Sequence, residues 1–194
     1  MRIAVLQSAM RSDKESQARA LAELRARAVA QGAEVLIAGP LGDDGPILDG
    51  TDLLGDVAVL EGDAAIDPVE LARVRRERPS ALVLMPGAES ELQAEGVLEL
   101  ALAASVSVAS IVIVAEHGGG DIGSPGHGGS AIVVAGEVAA EAFGVEDLVI
   151  GDVPLPAPPV DPDAPDPEPP LILKQRLARH RGEKPAVDYL ADLS

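Results

Sequence analysis

Seven short apolar runs punctuate the chain: Arg2 to Gln7 (RIAVLQ), Glu34 to Ala38 (EVLIA), Val57 to Leu60, Ala81 to Met85, the β-branched stretch Ser107 to Ala115, Ala131 to Ala135, and Leu148 to Asp152. Runs of this length, bounded by Gly, Pro or charge, read as buried strands. Between the early ones lie segments of helical spacing. Ser12 with Glu15 has the capping-box pattern, and Leu21, Leu24, Ala28 and Ala30 follow at helical intervals until Gly32. Residues 1 to 38 thus predict a β-α-β unit with a right-handed crossover. Pro68 suits the first turn of a helix from about Val69 to Glu77, which Arg78-Pro79 ends. Ser90 with Gln93 opens another that runs to about Ala104. Gly39 to Gly55 reads as a loop, and the short separation of the last two strands predicts an antiparallel, hairpin-like pair on a mostly parallel sheet.

What fills such a sheet is set by composition. Hydrophobic residues make up 47% of 194, yet Phe143 and Tyr189 are the only rings and there is no Cys. The core is therefore aliphatic. Disulfides, thiolate metal sites and thiol nucleophiles are excluded, as are aromatic stacking platforms. Fifteen Lys and Arg against 32 Asp and Glu give a formal charge of −17, a field that repels phosphate backbones and anionic membranes. The start of the chain lacks the apolar length of an export signal, and Leu100 to Ala115 is too short to span a bilayer, so a cytoplasmic location is expected. Near the other end, Gly151 to Pro170 holds nine Pro, five acids and no base, the composition of an extended arm, exposed or draped over a neighbour. Leu171 to Arg181 predicts a short helix, and Val187, Tyr189 and Leu190 predict a docked tail.

Gly118, Gly120 and Gly123 follow a strand in G-x-G-x-x-G spacing, but the loop leads into another strand where a dinucleotide fingerprint opens a helix. His117 and His127 flank this loop, with Glu116 and Asp121 nearby. Two His ten residues apart supply neither the ligand count nor the second shell of a zinc site, so they read as solvated loop residues, with no metal and no cofactor expected. His180 falls in an Arg-rich helix and reads as part of its cationic face. The carboxylates Asp43, Asp44, Asp49, Asp52 and Asp56 lack calcium-loop spacing. Glu61, Asp63 and Asp67 stand at the carboxyl end of a parallel strand, where open α/β sheets place their sites.

The order of these strings resembles the nitrilase or carbon-nitrogen hydrolase superfamily. MRIAVLQ, ARAVAQGAEVLIAGPL and GGSAIVVAGEVAAEAFGVEDLVIGDV are similar to its first, second and late strands; LEGDAAIDPVELARVRRERPSALVLMPGA is similar to its nucleophile strand with the following helix and strand, and RGEKPAVDYL to its tail. The resemblance implies a layered α-β-β-α sandwich, here shortened, and a reaction run by a Glu base, a Lys and a Cys nucleophile. Carried across, the Glu position falls on Pro40 and the Cys position on or beside Glu61, while the Lys has no counterpart because the segment that would hold it is missing between Leu41 and Asp56.

The resulting expectation is an α/β nitrilase-like domain over 1–153, a Pro/Asp arm over 154–170 and a docking segment over 171–194. It is a catalytically degenerate protein that acts through binding or assembly as a homo-oligomer, such as a dimer, with an unidentified small-molecule ligand near Pro40, Glu61, Asp63, His117 and His127. Two alternatives stand beside it: a hydrolase of C–N bonds with a site rebuilt from Glu61 or Asp63 and His117 or His127, and an acidic interaction protein for a basic partner.

Overall fold

The computed structural model describes residues 1–40, 45–119, 127–142 and 144–183. Asp43, Asp44, Asp121, most of the glycine loop and the apolar tail from Val187 to Leu190 lie outside them. Strand β1 (Arg2–Gln7) leads into helix α1 (Lys14–Ala30) and strand β2 (Val35–Ala38). The cap of α1 is Asp13, whose side chain accepts from the Ser16 amide at 2.8 Å; the carboxylate takes the orphan donor that was assigned to Ser12, and the helix begins beyond it. Within the predicted loop, strand β3 (Ile47–Asp49) and a 3-10 turn (Thr51–Leu54) form. Then come β4 (Val57–Glu61), α2 (Pro68–Glu77), β5 (Ala81–Met85), α3 (Glu91–Ser107) and β6 (Ile111–Val114). Helix α3 therefore overruns its predicted end and takes Ser107 from the expected strand. The last elements are β7 (Ala131–Val134), β8 (Glu137–Glu141), β9 (Asp147–Asp152) and α4 (Leu171–His180).

The strands form two sheets, ordered β3-β2-β1-β9 and β4-β5-β6-β7-β8. Pairs β1–β2, β4–β5 and β5–β6 are parallel. The expected hairpin of the last two predicted strands does not occur. Strand β7 instead pairs antiparallel with β8, while β9 crosses to the other sheet and runs antiparallel to β1 from Arg2↔Asp152 to Gln7↔Asp147. Arg2 and Asp152 lock this register with two hydrogen bonds of 2.8 and 3.0 Å.

Strand alternation assigns the layers. Ala4, Leu6, Leu36 and Ala38 pack under Leu24 and Ala28 of α1. Their alternates Ile3, Val5, Val35 and Ile37 meet Ala81, Val83, Ile111 and Ile113 of the second sheet. The opposite face of that sheet, with Leu82, Leu84, Val112 and Val114, is covered by Leu71, Leu100 and, from α4, Leu173 and Leu177. The order is α1, sheet, sheet, then α2, α3 and α4: the α-β-β-α sandwich. Residues 153–170 carry no regular element and lie back on their own domain. Arg75 donates to the carbonyls of Pro162 and Ala164, and Ser110 Oγ donates to that of Pro158. Among the described residues no helix is long and apolar enough to cross a membrane.

Candidate functional site

The carboxyl ends of the parallel strands of both sheets meet at one edge of the sandwich. Gly39, just past β2, sits so close to the end of β6 that a Cβ there would lie 2.8 Å from the Ala115 carbonyl oxygen. From the end of β1, Gln7 accepts from the Ser130 amide at 2.9 Å, and Ser8 accepts from the Gly118 amide at 3.1 Å. Gly118 is held tightly on its other side, since a Cβ would fall 1.7 Å from the Val145 carbonyl oxygen.

Glu116 occupies the centre of this edge and is only 2% exposed. Both its carboxylate oxygens lie within reach of the Ala88 amide, at 3.1 and 3.2 Å, and its own amide donates to Ser130 Oγ at 3.0 Å. Burial pushes its pKa up to about 7, against the opposing pull of the Ala88 amide, the Arg176 charge and the Gly87 amide. It is thus poised between its neutral and charged forms near neutrality.

Across the end of β5, Arg176 reaches in from α4 with its side chain 6% exposed. It donates to the Pro86 carbonyl at 2.7 Å, to the Gly87 carbonyl at 2.9 Å and to Asp63 Oδ1 at 3.2 Å. The other Asp63 oxygen lies 2.5 Å from His180 Nδ1. Arg181 pairs with Asp67, which also caps α2 through the Val69 amide. Helix α4 therefore fastens itself over the carboxyl ends of β4 and β5.

The residues singled out in the sequence distribute unevenly over this edge. Glu61 closes β4 and is exposed; Pro40 follows β2 half-buried. Asp63 lies in the Arg176 and His180 cluster, so the histidine beside it is His180, placed by the sequence reading on a merely cationic face. His117 is half-buried with Nδ1 3.2 Å from the Gly118 carbonyl oxygen. His127 is exposed and bridged to Gly118 through the backbone, and it lines a separate cavity of about 450 Å³ with Glu91, Glu95 and Glu141. Among the described residues no group of three or more His, Asp or Glu could hold a metal ion. Two residues escaped the sequence reading as site members. Glu116 stands two residues past the end of the wholly apolar strand β6, and Arg176 shares the helical stripe of Leu173 and Leu177; a charge at either position signals a buried partner.

No protein-family model matches the chain, and no curated protein does. Solved structures do. One is an amidase from Nesterenkonia sp. AN1, in a Glu-to-Gln mutant showing Michael addition of acrylamide at the active-site cysteine: 17% identity, 94% of this chain and 99% of that one covered, TM-score 0.63. A cysteine-to-serine mutant of a Nesterenkonia AN1 amidase of the nitrilase superfamily gives 18%, 79%, 92% and 0.62, and the NitN amidase of the same source gives 15%, 80%, 93% and 0.58. At such identities the likeness concerns the fold, which is nitrilase-like, as the sequence resemblance implied.

Proposed function

We propose that this chain keeps the layered fold of the nitrilase-type amidases without their thiol chemistry and acts through binding or through assembly with copies of itself. The observation that carries this reading is the closure of the strand ends by Arg176. Its guanidinium takes up the Pro86 and Gly87 carbonyls and pairs with Asp63, two residues beyond Glu61, on or beside which the resemblance puts the nucleophile. In the Nesterenkonia amidase, acrylamide and the acetamide moiety of fluoroacetamide add to the active-site cysteine. This chain has no cysteine anywhere. An exposed carboxylate at Glu61 is a far weaker acyl acceptor than a thiolate, and loss of all members of a catalytic unit leaves binding alone.

The assembly part is supported by an apolar groove between α3 and α4, where Leu92 is 58% and Leu171 38% exposed beside Ile172. Light scattering at micromolar protein is expected to give a mass above that of the monomer, and Leu92→Asp to lower it. A monomeric mass for the native chain contradicts assembly.

A second reading, hydrolysis by a rebuilt acid and histidine site, is favoured by the Asp63 and His180 contact at the carboxyl end of β4. Turnover that disappears in Asp63→Asn would establish it.

A further inference from the structure

At the amino ends of β5 and β6, on the edge opposite Glu116 and Arg176, a cavity of about 1110 Å³ opens between the last turn of α2, the 3-10 turn and the arm. One wall is aliphatic, built from Leu53, Leu54, Val108, Leu155 and Val160. Leu53 and Leu155 are 50% and 46% exposed, so two large apolar side chains of this cavity face solvent. The other wall carries Arg75, Arg76 and Arg78.

These three cations differ in their engagement. Arg75 is consumed by the arm, pairing with Asp166 at 2.5 Å and donating to two carbonyls. Arg76 and Arg78 form no ion pair among the described residues, in a chain where acids outnumber bases 32 to 15. The two acids on the cavity wall do not answer them: Asp166 belongs to Arg75, and Asp161 turns an oxygen to the Asp163 amide at 2.9 Å. Arg78 is the left-handed C-cap of α2, φ 54°, its amide donating to the Arg75 carbonyl, and this turn sets its side chain beside Arg76 at the cavity wall. Ser80 lines the same space, and its hydroxyl makes no hydrogen bond among the described residues.

We propose that this cavity binds an aliphatic carboxylate, with Arg76 and Arg78 on the carboxylate and the Leu53 and Leu155 wall on the chain. Guanidinium forks match the two oxygens of a carboxylate. Among the described residues no aromatic side chain lines the cavity, so an aliphatic body fits where a flat ring would find no stacking partner. In a molecule of net charge −17, an anion is held only where cations stand unpaired. The site lies at the far ends of the strands from Asp63 and Arg176, so it stands or falls separately from the non-catalytic reading.

Calorimetric titration of the full chain with octanoate tests it, with octanol and acetate as ligands lacking the charge or the chain. Octanoate is expected to saturate the protein, with octanol and acetate each weaker by about tenfold or more. The double variant Arg76→Gln, Arg78→Asn is expected to weaken octanoate by about tenfold or more, Asn being tolerant of the left-handed backbone. Should circular dichroism show that variant unfolded, the single exposed change Arg76→Gln takes its place, with a loss of several-fold. Equal binding of octanoate and octanol, undiminished octanoate binding by the folded variant, or no saturation below about 10 mM each overturns the proposal.

Discussion

Glu116 keeps its proton to about pH 7 because the native state buries it, whereas the unfolded chain releases it near 4.5. Between those values the unfolded state binds fewer protons, so this residue lowers stability as pH rises, by about 3 kcal/mol in all. Glu116→Gln retains an acceptor for the Ala88 amide and cannot ionise. Urea unfolding at pH 4.5 and 7.5 should therefore show the variant gaining on the native protein by roughly that amount, and a constant difference would contradict it. Arg176 is the complementary case. Its removal strands the Pro86 and Gly87 carbonyls and the Asp63 carboxylate, so Arg176→Met should cost about 2–4 kcal/mol in the same measurement, and Arg176→Lys should recover only part, since an ammonium lacks the fork that spans three acceptors. Asp63 was legible as a site candidate from its place after β4. The partnership with Arg176 and His180 was not, because the residues stand 113 and 117 positions away and no local pattern links them.

Helix starts are set by single side chains where a cap exists, and the sequence named the one at α3 but placed that of α1 one residue early, on Ser12 instead of Asp13. Ser90 accepts from the Gln93 amide at 3.2 Å, as its spacing predicted, and Gln93 Oε1 accepts from the Glu89 amide at 3.0 Å. Ser90→Ala should cost about 1 kcal/mol in thermal or urea unfolding. Strands were legible where both faces are buried: β1, β2, β5 and β6 are nearly continuous apolar runs. Strands β3 and β8 were not, being edge strands, the first of three residues (ILD) and the second (EVAAE) exposed over its first three. Nor could the chain announce that β9 leaves the sheet of β7, since its partner is the first strand and the pairing is fixed by Arg2 with Asp152. Gly118 runs so close to Val145 that any side chain there would collide with the Val145 carbonyl. Gly118→Ala should cost about 2 kcal/mol or more, and an unchanged melting temperature would show that the Val145 segment yields freely.

The molecule as a whole carries a charge of −17 on two face-to-face sheets and their helices, and such self-repulsion opposes compactness. Its melting temperature is expected to rise between about 0.01 M and 0.15 M salt, as screening shortens the reach of that field. The four-layer arrangement was implied by the resemblance to the nitrilase superfamily, while the closing of the strand ends by α4 came only with the assembled molecule. Cysteine had already been excluded by composition, and its absence matters most at this scale, because the fold is the one in which the Nesterenkonia amidase holds its active-site cysteine. Ammonia release from acetamide, acrylamide, butyramide and a simple nitrile, at micromolar protein and near neutral pH, tests the proposed non-catalytic reading most directly. The proposed non-catalytic reading predicts no release above buffer from the native chain. Release that persists through purification and vanishes in Asp63→Asn would contradict it.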